Sequence, residues 1–285
     1  MDTPLRKADL FALSEWTRIK KQYYGQLTFA KSGEMVEEYG VREHRLHERI
    51  PFLEEFWRCH VAPATNRPDD TFLSDGIDPV ISLIAERSYE VFCNVVDAMD
   101  ELASVRKGPP VPPRYRSYLN VLRFSGDALQ LFSGLVFVIQ GSKPYQGNGL
   151  ATILGNGFKV FDTGEWKSEW NPEREKAIWY RNMLVHHGRP WFFFQAQQEY
   201  KSAPFILRAE QCMPDPQTYP KTHPTWEAQM KMFKSDPSRF TTLHEACEET
   251  VDLTTRWLNR AYQRVVEKLE PLLDNPNYRK LWGWP

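Results

Sequence analysis

An arginine, an asparagine and a histidine lie close together in the segment Tyr180–His186, and their side chains suit chemistry on an anionic group. The imidazole of His186 can accept or donate a proton near neutral pH. The guanidinium of Arg181 can bind an oxyanion through two parallel hydrogen bonds. Asn182 lies four residues before His186, on the same face of a helix, so it can hold the imidazole or bind the anion itself. Arg181, Asn182 and His186 are therefore the candidate site residues.

Each of these residues also has a structural interpretation. Arg181 can form an ion pair with Glu173, Glu175 or an acidic residue elsewhere in the chain. His186 and the neighbouring His187 can bind the last carbonyl groups of a helix, where a cation is stabilised by the helix dipole. We favour this structural role for His187, and both interpretations stay open for Arg181 and His186.

Other groups of residues with chemical potential are better explained as structure. One stretch contains four possible zinc ligands, namely His44, His47, Cys59 and His60. Charged residues interleave with these histidines and no C-x-x-C pair is present, which favours a solvated helix. The glycines between Gly147 and Gly157 lack the G-K-[ST] ending of a phosphate-binding loop and indicate turns. No metal and no cofactor is therefore expected.

Composition and charge exclude several classes of protein. The chain has 285 residues, 41% hydrophobic and 26% charged, which is typical of a globular protein with a substantial core. Its net charge of −1 creates no global attraction to nucleic acid, so any such site must be a local basic patch. Met1–Leu10 does not resemble a signal peptide, and the most apolar stretch, Leu129–Ile139, is too short to span a bilayer. The four scattered cysteines fit a reducing compartment, so we expect a cytoplasmic protein without membrane contact.

Helical periodicity dominates the chain, and N-cap residues followed by proline mark two of the helix starts. Four long helices are predicted: Asp78 to about Lys107, Tyr115–Gln140, one that begins at Asn171 and is stopped by Gly188 and Pro190, and one of more than 25 residues from the capping box of Thr242 and Glu245. Two further helical segments, Lys7–Thr28 and Glu34–His60, are predicted near the N-terminus, the second with a break at Pro51.

The segment before the last helix has a different pattern. Trp191–Gln198 and Phe205–Glu210 are rich in aromatic and β-branched residues, which indicates a small hairpin, and a proline-rich loop is expected to continue to Asp236. The aromatic run Trp191–Phe194 could stack bases, although a buried strand or a dimer seam is the more frequent use. The predicted fold is mainly α, a helical bundle with a small irregular or β-hairpin insertion before the last helix.

The pattern Arg181-Asn182-x3-His186 resembles the signature of the HEPN superfamily, an arginine that is often followed by a polar residue and lies four to six residues before a histidine. The motif stands near the end of a helix, with a further long helix to follow, as in that family. The resemblance implies a HEPN-like bundle over residues 71–285 with an insertion at about 189–240, preceded by a helical extension over 1–70. Some members carry a modified tyrosine two residues after the histidine, where this chain has Gly188.

The resemblance also implies an activity and partners. Many HEPN proteins are metal-independent endoribonucleases that act as homodimers, and they often serve as toxins or in defence against phage. His186 would then be the general acid or base, Arg181 would stabilise the phosphate, and Asn182 would orient either group. RNA, a second copy of the chain, and an antitoxin or defence-system protein are the implied partners.

A second hypothesis belongs to a different class of protein. A non-catalytic helical module that binds RNA, a nucleotide or another protein would equally be all-helical. The near-zero net charge and the absence of an obvious basic run favour it. The two hypotheses differ in whether Arg181 and His186 reach a substrate.

Overall fold

The structure of the chain, a computed structural model, is mainly helical. The residues that it describes are 49–56, 79–106, 115–141, 150, 159–161, 171–187, 192–193, 205–209, 226–276 and 278. Their helices and strands are α1 (Pro51–Phe56), α2 (Pro79–Arg106), α3 (Tyr115–Gln140), α4 (Asn171–His187), β1 (Phe192–Phe193), β2 (Phe205–Leu207), α5 (Trp226–Ser235), β3 (Phe240–Thr242) and α6 (Leu243–Leu269). The predicted helical fold with a small sheet before the last helix is confirmed.

The four long predicted helices correspond to α2, α3, α4 and α6. The bounds of α3 agree with the prediction at both ends, and Gly141 follows with a φ of 64°, a left-handed conformation that favours glycine. Ile50 is a bend and α1 begins at Pro51, in agreement with the predicted break. Proline is well tolerated at this position because the first N–H of a helix has no partner within it.

Helix α2 is buried over more than one stripe of its surface. Residues that recur at helical spacing along one side are buried, namely Ile84, Ser88, Phe92, Val95, Met99 and Leu102. Tyr89, Val91 and Val96, which lie to the side of that stripe, are buried as well. A helix that is covered over such a wide angle is a buried helix rather than a surface helix with one apolar face.

Helix α3 is long and apolar enough to cross a membrane by length and composition alone. However, 61% of its most apolar window is buried inside the protein, as in the core helix of a soluble protein. The apolar stretch Leu129–Ile139, too short to span a bilayer by itself, is therefore one part of the longer apolar helix α3.

The chain divides into two compact units, and the divisions fall inside α2, α3 and α6. The first unit comprises residues 1–96, 130–169 and 255–285, and the second comprises 97–129 and 170–254. All three candidate site residues belong to the second unit. The expected boundary near residue 70 lies outside the described residues and stays a prediction.

Aromatic rings form the centre of the first unit. Phe132 of α3 contacts Trp257 edge to face at 5.5 Å between centroids, and it contacts Tyr262 at 4.8 Å. Tyr262 also packs against Phe56 of α1, and its hydroxyl lies 3.4 Å from Ser88 Oγ. Burial raises the pKa of Tyr262, so the phenol stays neutral in this core.

A three-stranded antiparallel sheet in the order β1-β2-β3 lies in the second unit. The predicted hairpin accounts for β1 and β2, in which Phe192 pairs with Ile206. The third strand was not predicted, and it pairs Thr241 with Ile206. This strand ends at Thr242, which is also the first residue of the predicted capping box.

The prediction of a loop up to Asp236 was wrong, because α5 occupies Trp226–Ser235. Trp226, Met230 and Phe233 follow the helical i, i+4, i+7 spacing, but the flanking prolines concealed this short element. Phe233 packs between Phe205 of β2 and Phe240 of β3, with ring centroids 5.1 and 5.5 Å away. This contact explains why a short helix is stable there, since isolated helices of that length are marginal in water.

The capping box at the start of α6 is present as predicted. The Glu245 backbone N–H donates to Thr242 Oγ1 at 3.1 Å, and the Thr242 N–H donates to Glu245 Oε2 at 3.0 Å. Thr241 Oγ1 adds a hydrogen bond of 2.8 Å to the same oxygen. These bonds lower the pKa of Glu245, so their contribution to stability is present above the ordinary glutamate pKa and is lost as the pH falls through the lowered value.

We expect Thr242→Ala to lower the free energy of unfolding by about 1 kcal/mol, since it removes the hydroxyl that caps α6. Thr242→Ser retains a hydroxyl at that position and should restore most of the loss. Urea unfolding of the two variants beside the wild type measures both effects. An equal loss in the serine variant would contradict a capping role and point to the β3 pairing instead.

Several predictions lie outside the described residues. They are the N-terminal helical extension within 1–48, the possible zinc ligands His44, His47, Cys59 and His60, and the glycine turns within 142–149 and 151–158.

Candidate functional site

Helix α4 carries all three candidate residues, and contacts on several sides hold it in place. Lys176 Nζ forms an ion pair of 2.5 Å with Glu249 of α6, and only 13% of the lysine side chain is exposed. The buried Tyr180 hydroxyl accepts a hydrogen bond from Ala209 N at 3.2 Å and donates to Leu207 O at 3.5 Å. The motif helix is thus tied to the last helix and to the end of β2.

A glycine on α3 allows the two helices to approach closely at Arg181. A Cβ added at Gly126 would lie 2.3 Å from Arg181 Cβ, 2.9 Å from Arg181 Cγ and 3.2 Å from Ala177 O. Real Cβ atoms essentially never come within 3.0 Å of such atoms, so no other residue fits here without a shift. The close approach brings the Arg181 side chain against the next residue of α3.

That next residue, Asp127, forms an ion pair with Arg181. Arg181 Nε donates to Asp127 Oδ1 at 2.7 Å, and the two side chains are 19% and 21% exposed. A charge-assisted hydrogen bond of this kind contributes about 1.5–3 kcal/mol. An acidic partner of Arg181 was one of the expectations from the sequence, and this partner lies on α3 rather than on α4.

Asn182 and His186 have different surroundings. Asn182 Oδ1 accepts a hydrogen bond of 3.2 Å from Arg181 Nη1, so Asn182 orients the guanidinium and forms no hydrogen bond with the His186 imidazole. The His186 side chain is exposed, and it forms no hydrogen bond or ion pair with any described residue. Val185 beside it is 47% exposed.

The guanidinium of Arg181 retains unused donors. Arginine has five N–H groups. One goes to Asp127 and one to Asn182, which leaves three without a partner among the described residues. Arg181 is thus oriented by two neighbours and still able to bind an anion.

Two residues at this site were missed by the sequence analysis. Asp127 binds Arg181, and Arg123, one helical turn earlier on α3, places its Nε 3.5 Å from Asp127 Oδ2. The signals were present in the sequence, as an Arg-x3-Asp pair beside a glycine within an otherwise apolar helix. Arg116, another basic residue of α3, is exposed.

Metal ligands and external relatives add nothing to this geometry. Across the described part of the chain, no three His, Cys, Asp or Glu side chains are grouped so that they could hold a metal ion. No protein family, curated protein or solved structure was found to match this chain. The functional interpretation therefore depends on the motif and on the contacts of Arg181 and His186.

Proposed function

We propose that the protein is a metal-independent endoribonuclease of the HEPN type. The observation that supports this best is the state of the two motif side chains. Asp127 and Asn182 orient Arg181, whose guanidinium keeps three N–H donors without a partner among the described residues. The exposed His186 lies about 7.5 Å further along the axis of the same helix. An oriented cation and an accessible proton carrier are the two groups that metal-free RNA cleavage requires.

The proposed reaction is an intramolecular transesterification of the RNA phosphodiester. The ribose 2′-oxygen attacks the phosphorus and loses its proton, and the bond from phosphorus to the 5′-oxygen breaks. The 5′-oxygen then takes up a proton, which leaves a 2′,3′-cyclic phosphate and a 5′-hydroxyl. His186 would carry out one of these proton transfers, and Arg181 would stabilise the charge that develops on the phosphate oxygens.

A second copy of the chain would complete the site. On an ideal helix, positions 181 and 186 point about 140° apart, so one α4 presents both poorly to a single phosphate. Two motifs that face each other across a dimer axis would supply an arginine from one protomer and a histidine from its partner. The exposed Val185 offers an apolar contact beside His186.

The cellular setting belongs to the same proposal. The two cysteines within the described residues, Cys93 and Cys247, form no disulfide, which fits a cytoplasmic protein. A role as a toxin or phage-defence effector, with an antitoxin or another defence protein as partner, follows only from the HEPN resemblance.

Incubation of the purified chain with single-stranded RNA in excess EDTA tests the proposal. We expect cleavage to continue and the fragments to carry 2′,3′-cyclic phosphate and 5′-hydroxyl ends. End-group analysis of the fragments distinguishes this product from the 5′-phosphate that metal-dependent nucleases commonly leave. Cleavage that requires a divalent metal would contradict the mechanism.

A non-catalytic helical module remains the second candidate, and the Arg181–Asp127 ion pair is the observation that favours it. A side chain that is 19% exposed and bonded to another helix has a structural role even without a substrate. The two candidates differ at His186, whose imidazole has no described structural contact.

A further inference from the structure

The residue pair Arg123 and Asp127 extends the candidate site beyond the motif. Arg123 and Arg181 both approach the Asp127 carboxylate through Nε, at 3.5 Å to Oδ2 and 2.7 Å to Oδ1. Two guanidinium groups therefore share one carboxylate, and the three residues together carry a net charge of +1. The chain as a whole has no excess of positive charge, so a local excess of this kind is notable.

Both guanidinium groups keep terminal N–H groups that have no partner among the described residues, although Arg181 Nη1 also donates to Asn182. Arg123 forms no other hydrogen bond or ion pair with a described residue, and its side chain is 58% exposed. The terminal nitrogens are the part of a guanidinium that binds a phosphate through two parallel hydrogen bonds. Asp127 thus pairs with two such groups, one from Arg123 of α3 and one from Arg181 of α4.

A purely structural role explains Arg123 poorly. Its ion pair is long and largely exposed, and pairs of this kind contribute little to stability because water screens them. An exposed position one helical turn before Asp127 on α3 would instead allow Arg123 to bind a ligand that approaches from the solvent. Because such a ligand would contact two guanidinium groups, it must be anionic.

We infer that Arg123 is a second phosphate-binding residue beside Arg181, and that it binds the backbone of single-stranded RNA next to the scissile group. This inference rests on the proposed function, because it takes RNA as the anion. Arg123 would then increase the affinity for single-stranded RNA of any base sequence, since phosphate contacts carry no base information.

The test uses the full chain with His186→Ala, so that binding is measured without cleavage. Fluorescence anisotropy of a 5′-labelled single-stranded RNA gives the affinity over a series of salt concentrations. Adding Arg123→Ala should weaken binding to unrelated sequences alike and reduce the slope of log affinity against log salt by about 0.7. Arg123→Lys keeps the charge and should keep most of the slope. Lys268→Ala, which removes one exposed charge from α6, is the control and should leave the slope unchanged.

The outcomes separate this inference from the proposed function. An unchanged slope in Arg123→Ala, or an equal decrease in Lys268→Ala, overturns the role of Arg123 even if the wild type cleaves RNA. Binding by the wild type without cleavage contradicts the nuclease, and the comparison of slopes still decides about Arg123. Absence of RNA binding by the His186→Ala chain at low salt contradicts both proposals.

Discussion

Replacing His186 by alanine is expected to lower RNA cleavage about 10²–10⁴-fold, the usual contribution of a general acid or base. The melting temperature should remain unchanged, since the imidazole is exposed and makes no described contact that could hold the fold together. Initial rates on a labelled RNA in EDTA, beside thermal unfolding and the oligomeric state of the same samples, measure both quantities.

His244→Gln is a suitable control for this experiment. His244 is the other histidine whose side chain is described, and it lies on α6 beside Tyr118 and Glu248 rather than in the motif. It should retain cleavage even if it loses some stability. Wild-type cleavage in His186→Ala would end the catalytic interpretation of the motif and leave the helical module as the better account.

Arg181→Ala is a less specific test than His186→Ala. It would remove a phosphate-binding group and also the closer of the two cations that pair with the partly buried Asp127, so that only the long contact with Arg123 would remain. A loss of cleavage in that variant therefore has two explanations, one catalytic and one structural. The asymmetry between the two motif residues follows from the structure and could not be read from their spacing.

Gly126→Ala is expected to lower the free energy of unfolding by about 1–3 kcal/mol, because the new methyl group would overlap Arg181 Cβ at 2.3 Å. Helix propensity acts in the opposite direction, since alanine is preferred to glycine within a helix by about 1 kcal/mol. The steric term should dominate, because the clash is with a Cβ and a Cγ near the backbone of α4 rather than with the flexible end of a side chain. Cleavage should fall as well, since α4 must move and displace the guanidinium.

Gly134→Ala on the same helix provides a matched control with the opposite sign. The nearest atom to its added Cβ is Arg87 Cδ at 4.0 Å, so the methyl group fits. This variant should be more stable than the wild type by about 0.5–1 kcal/mol, with unchanged cleavage. Urea unfolding of the two variants measures the difference. If Gly126→Ala also makes the protein more stable, helix propensity outweighs the close approach and the described packing at Arg181 is wrong.

Local sequence signals predicted the regular elements well. The capping box of Thr242 and Glu245, the proline starts of α2 and α4, and the stop at Gly141 depend on backbone groups within a few residues, so they can be read without the fold. Short elements were harder to predict. Helix α5 is stabilised by packing of Phe233 on the sheet, and β3 by pairing with β2, so neither has a strong signal of its own.

The amino-acid sequence by itself determined a mainly helical protein and the positions of Arg181, Asn182 and His186 on one helix, because periodicity and capping are local properties. Only the tertiary structure decided what surrounds them. The Asp127 carboxylate lies 54 residues before Arg181 in the chain, and the two meet because Gly126 lets α3 and α4 approach. Contacts between distant segments depend on how whole helices pack, and the spacing of residues within one helix carries no record of that packing.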